Sequence, residues 1–128
     1  MSRLGEILAE LREDKGLKQK QLADELHISS SSISAFETGY RLPNIETLSL
    51  LAKYFDVTLD YLVGLTDFSL SPSVLSETFV DDINIADAVK MLKELLPEQR
   101  RAVLLILKDM TFSAELAQKT TPHGASKK

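Results

Sequence analysis

The chain has 128 residues, 44% of them hydrophobic and 27% charged, with no cysteine and a formal net charge of −4. That size and balance suit one ordinary globular domain with an appendage; they exclude a disordered chain, a disulfide framework, thiolate metal sites and a cysteine nucleophile. The N-terminal "MSRLGEILAELRE" carries acids unlike a signal peptide, and the longest apolar run, "AVLLILKDM" from Ala102, falls far short of the ~18 residues of a membrane span, so a cytoplasmic protein is expected.

Leu4, Ile7, Leu8 and Leu11 recur at i, i+3, i+4, i+7, the spacing of an amphipathic helix. It is predicted to run from Arg3 to Lys15, between an N-cap at Ser2 and a stop at Gly16. A second short helix is predicted over 18–26, with Leu22, Ala23 and Leu26 on one face. His27, Ile28 and Ser29 then make a tight connection, and the Ser29 hydroxyl suits an N-cap because it can accept from a free backbone N–H. The stretch "SSSSIS" has the composition of a linker, yet Ile33 and Phe36 stand three apart, and Gly39 follows where a left-handed C′ residue belongs. A third helix is therefore predicted from Ser30 to about Glu37. Serine is only a middling helix former, so the packing of Ile33 and Phe36 must hold it.

After Pro43 and the N-cap candidate Asn44, the residues Leu48, Leu51, Ala52 and Phe55 form the core face of a fourth helix. A fifth begins at Thr58 and closes at Gly64. Residues 66–78, "TDFSLSPSVLSET", read as a linker. The helical pattern returns from Phe79 with Ile85, Val89, Leu92 and Leu96 on one side, and Asp81 and Asp82 are expected at that helix start. Pro97 opens another helix at its first position, and the run from Ala102 is apolar all round, so more than one of its faces must be buried. The simplest partner is a second copy of the chain, met through Val89, Leu92, Leu104, Leu105 and Leu107. The polar last residues, 118–128, are expected to fray.

Residues 18–37 thus read as helix, three-residue turn, helix, the spacing of a helix-turn-helix whose second helix enters the major groove. The stretch "GLKQKQLADELHISSSSISAFETGYRLPNIETLSLLAKYFDVTLDYLVG" resembles the DNA-binding domain of lambda-repressor-like (XRE/Cro) regulators, through Gln19, Leu22-Ala23, Ile33, Glu37, Gly39, Pro43 and "VTLDYLVG". The resemblance covers roughly residues 4–65. It implies that the Gln19 amide bonds a DNA phosphate, that Ser30, Ser31, Ser34 and Ala35 meet base edges, and that Thr38 and Tyr40 lie near the backbone. It also implies a structural ion pair between Arg12 and Glu37. Family recognition helices often carry Gln, Arg, Asn or Lys at the reading positions, whereas this one offers three hydroxyls and a methyl, so modest direct readout is expected.

Charge speaks mildly against a nucleic-acid partner: through Leu65 there are seven lysines and arginines against ten acids. Lys15, Lys18 and Lys20 around the start of the second helix, with Arg41 after the third, form a local positive ring that answers this. No glycine-rich phosphate loop, HExxH or GxSxG pattern is present; His27 and His123 have no ligand pattern around them, so neither enzyme chemistry, cofactor nor metal is expected. The reading is an all-α chain: a five-helix DNA-binding domain (1–65), a linker (66–78), a C-terminal helical hairpin for dimerisation (79–117) and a tail (118–128). Its expected function is a dimeric regulator of double-stranded DNA, a repressor before an activator. The alternative is a protein-interaction module, such as an antitoxin, whose C-terminal helices bind another protein.

Overall fold

The computed structural model of the chain describes residues 3–120, and these divide into two units at Glu77/Thr78. Ser2, expected to cap the first helix, and the tail with His123 lie outside the described residues.

The first unit is built from five helices: α1 (Arg3–Asp14), α2 (Gln19–Leu26), α3 (Ser30–Thr38), α4 (Ile45–Phe55) and α5 (Leu59–Leu62). Each contributes one side chain to the centre of the core: Leu8, Leu22, Ile33, Leu51 and Leu62 are fully buried. Burying each stabilises the fold by roughly 1.5–3 kcal/mol relative to exposure. This is the five-helix arrangement that the resemblance to lambda-repressor-like regulators implies. Helices α3, α4 and α5 start on side-chain caps three residues upstream of the N–H they satisfy: Ser29 Oγ accepts from Ser32 N, Asn44 Oδ1 from Thr47 N, and Thr58 Oγ1 from Tyr61 N. Their C-terminal ends turn through left-handed residues, Gly39 at φ 79° among them. Gly5 lets α1 lie directly on the end of α3, because a Cβ there would stand 2.2 Å from the Glu37 carbonyl oxygen.

The segment read as a linker is partly fastened. A 3-10 turn, Pro72–Ser76, sits within it, and Ser73 donates to the Asp56 carboxylate through its N–H (3.3 Å) and its hydroxyl (2.5 Å). The hydroxyl bond from Ser73 holds the Asp56 carboxyl below the usual carboxylate range, against a smaller opposing effect of burial.

The second unit corrects the expected start of its first helix. Residues Thr78–Val80 (β1) and Ile83–Asn84 (β2) form an antiparallel pair, with Thr78 opposite Asn84 and Val80 opposite Ile83. Phe79 therefore lies in a strand. Asp81 and Asp82 make the turn, Asp81 in the left-handed region at φ 52°, where aspartate is tolerated better than most residues. The cap of α6 (Ile85–Glu94) is Asn84, whose Oδ1 accepts from Asp87 N at 2.8 Å. Helix α7 (Pro97–Thr120) runs past the expected boundary at residue 117. The Arg100 guanidinium closes the connection by donating to the carbonyls of Leu95 (3.0 Å) and Lys93 (2.6 Å). No residue from 78 to 119 is buried.

Candidate nucleic-acid interface

Helix α2, its turn and helix α3 are joined by His27, which adopts φ 55° and donates its N–H to Asp24 O, and by Ile28, whose N–H reaches Ala23 O. Leu22, Ala23, Leu26, Ile33 and Phe36 face the core, which leaves the opposite side of α3 to solvent. Ser30 and Ser31 are exposed there; Ser34 and Ala35 are half-buried.

Under that surface three helices are tied at one charged residue. Glu37 is 8% exposed and is the buried charged side chain among the described residues. It accepts from Arg12 Nε at 2.5 Å and Nη2 at 3.3 Å, and from the Gln19 amide at 2.7 Å. Arg12 also donates to Leu17 O at 2.7 Å. The Glu37 hydrogen bond raises the arginine pKa above its ordinary value, against the opposing effect of burial, so the guanidinium stays charged. Arg12 and Glu37 thus lie together. Gln19 turns one amide proton toward Glu37 and keeps a second N–H and its oxygen for another partner. The link between Gln19 and Glu37 carries no sequence signal: two polar residues eighteen apart share no period.

At the start of α3 the serines form a connected set. Ser29 Oγ accepts from the Ser32 N–H (3.1 Å) and lies 2.8 Å from Ser32 Oγ and 3.1 Å from Ser31 Oγ. Arg41 closes the set by donating Nη2 to Ser32 Oγ at 2.5 Å, with its guanidinium 5.3 Å from the centre of the Phe36 ring. Ser29 and Ser32, absent from the sequence-predicted site, are therefore part of it. The hydroxyl of Thr38 donates inward to the carbonyls of Ser34 (3.0 Å) and Ala35 (3.3 Å), so in this arrangement it offers only lone pairs outward. Tyr40 is 90% exposed, and Lys18 and Lys20 are exposed at the head of α2. The exposed Lys15 places its ammonium 4.4 Å above the centre of the Tyr54 ring, on α4. Among the described residues, no group of acids and histidines is placed to hold a metal ion, and no helix is long and apolar enough to cross a membrane.

The helix-turn-helix family model matches residues 8–62, the stretch that contains this arrangement. The chain is also similar over nearly its whole length to the HTH-type transcriptional regulator ImmR of Bacillus subtilis (strain 168). The two are 32% identical over 115 residues, which cover 90% of this chain and 83% of that one. The chain belongs to the HTH-type transcriptional regulators. As such it is a DNA-binding protein. The regulator is similar, too, to the cryptic phage CTXphi transcriptional repressor RstR of Vibrio cholerae serotype O1, 27% identical over 125 residues, 96% of this chain and 99% of that one. Among solved structures it is similar to a transcriptional regulator from Listeria innocua, with a TM-score of 0.48 and 23% identity over 85% of this chain and 94% of that one.

In the second unit, Val89, Leu92, Leu104 and Leu107 line one groove of about 470 Å³ between α6 and α7, together with Val103 and the stems of Lys93 and Arg100. Leu105, expected with them, lies outside this lining, and it is 65% exposed.

Proposed function

We propose that the regulator is a homodimeric repressor that places α3 of each copy in successive major grooves of an operator dyad. Ser30, Ser31, Ser34 and Ala35 would face base edges. Lys18, Gln19, Lys20, Tyr40 and Arg41 would meet phosphates, and Thr38 would join them after its hydroxyl rotates away from the helix. Two recognition helices about 34 Å apart would span one turn of DNA.

The observation that carries the dimer is the second unit. Its two helices present large apolar side chains on every side of α7, and no described residue in it is buried. A hairpin that only half-buries its apolar residues gains little to offset the entropy of ordering its chain, and a partner covering the exposed ones would supply what it lacks. A second copy offers the same surface in the same concentration, and a two-fold pair of hairpins would cover both the groove and the Leu105 side. Likeness to a protein named as a repressor supports repression over activation. The apolar groove also fits a helix from a different protein, which is the second reading.

Sedimentation equilibrium of the full chain tests this. Wild type should sediment as a dimer and Leu105→Glu as a monomer with weakened operator binding. A wild-type chain that stays monomeric at tens of micromolar would remove the homodimer and leave the groove to a foreign helix.

A further inference from the structure

The hydroxyl set at the head of α3 has a direction. A guanidinium donates and never accepts, so Ser32 Oγ receives a proton from Arg41. The Arg41 charge and the positive end of the α3 dipole act on the same serines. Both favour hydroxyl oxygens turned toward them and hydroxyl protons turned away. Of the two directions that the 2.8 Å contact between Ser32 and Ser29 allows, this field favours donation by Ser32. Ser29 Oγ is then filled by two donors, the Ser32 hydroxyl and the Ser32 N–H, and its own proton goes to Ser31 across 3.1 Å. At the end of this chain stands Ser31, exposed, with its proton unclaimed. An oxygen that accepts one bond becomes a stronger donor and a poorer acceptor of a second, so the chain sharpens the bias at its last member.

We infer that Ser31 meets the major groove biased toward hydrogen-bond donation, polarised through Ser29 and Ser32 by Arg41, and that it disfavours cytosine at the base it faces. This rests on the proposed function, which puts Ser31 against bases. A serine free to rotate donates or accepts and is indifferent to all four bases. A serine biased toward donating finds an acceptor on guanine (N7, O6), adenine (N7) and thymine (O4), but cytosine shows only its N4 amino donor in the major groove. Bland as its composition is, the helix carries a rule of its own: three bases admitted and one disfavoured. Ser29 and Ser32 are positioning residues in this account; Ser31 makes the contact.

The test is selection from a randomised duplex pool by the full chain, alongside Ser31→Ala, Ser31→Thr and Ser32→Ala, with folding of each checked by circular dichroism. Wild type and Ser31→Thr should disfavour cytosine at one position of each half-site by about fivefold, the size expected of one neutral hydrogen bond. Ser31→Ala and Ser32→Ala should lose that preference at the same position and keep all others. If the favoured base is a purine, 7-deaza substitution there should weaken wild type about fivefold and leave Ser31→Ala unmoved. A uniform loss across all sequences in Ser31→Ala would place Ser31 on a phosphate and overturn the inference. An unchanged profile in Ser32→Ala would overturn the polarised chain. Failure of wild type to enrich any duplex would sink the base-facing role of α3 itself, and this inference with it.

Discussion

Replacing Glu37 with glutamine keeps the shape of the side chain and removes its charge. The arginine it serves has 13% of its side chain exposed, and it gives both Nε and Nη2 to the carboxylate. Breaking a buried pair by neutralising one partner costs about 3–5 kcal/mol, because the remaining charge is left in a poor solvent. Some water reaches Arg12, and a glutamine oxygen still accepts one bond, so the low end applies, about 3 kcal/mol. At roughly 4–8 °C per kcal/mol for a domain of this size, the melting temperature should fall by about 12–24 °C. The double variant Arg12→Met/Glu37→Met should recover much of that loss, since no orphan charge remains. Thermal and urea unfolding of the full chain, followed by circular dichroism, measures both. A cost below about 1 kcal/mol for Glu37→Gln would mean that water screens the pair as it does surface pairs, and the tie between α1, α2 and α3 would not be what holds α3.

Gly5→Ala should destabilise by about 1–3 kcal/mol in urea unfolding, because its methyl group would force α1 off the Glu37 carbonyl; an unchanged midpoint would show a softer contact. Gln19→Ala should lower operator affinity about tenfold if its second amide proton serves a phosphate, read by fluorescence anisotropy, and unchanged affinity removes that role. The depressed pKa of Asp56 means that its bond to Ser73 contributes stability above the ordinary carboxylate range and loses it only as pH falls through the lower, folded value. Carboxyl NMR should find Asp56 titrating below free aspartate, with Ser73→Ala returning it upward; a normal titration in wild type would show that the segment is not fastened. Arg12 has its pKa raised, so its contribution is fully present below the ordinary arginine value and is lost only above it. The contribution of Arg12 should therefore not vary with pH near neutrality.

The five helices of the first unit were legible because each carries its own local signals. Ser29 and Asn44 are cap residues followed by apolar residues at helical spacing, and Gly39 supplies the left-handed stop. The hairpin at 78–84 was misread because three residues and two give no period, and a pair of aspartates suits a helix start as well as a turn. Flanked by Val80 and Ile83, that pair was the available hairpin signal. Contacts between exposed polar side chains far apart in the chain, such as Ser73 with Asp56, leave no pattern at all. Lys15 shows the same limit: nothing in the sequence signals that its ammonium lies over the Tyr54 ring of α4. For the candidate site, the reading positions came from resemblance. The direction imposed on the serines comes from Arg41, nine residues beyond Ser32, and needed the fold.

The measurement closest to the central claim is hydroxyl-radical footprinting of the full chain on the duplex it enriches most from a random pool. A two-fold dyad with protections on one face of the DNA and half-site centres about 10–10.5 base pairs apart is the predicted result. A single unpaired half-site, or protection with no preferred sequence, would contradict the dimeric, base-reading regulator.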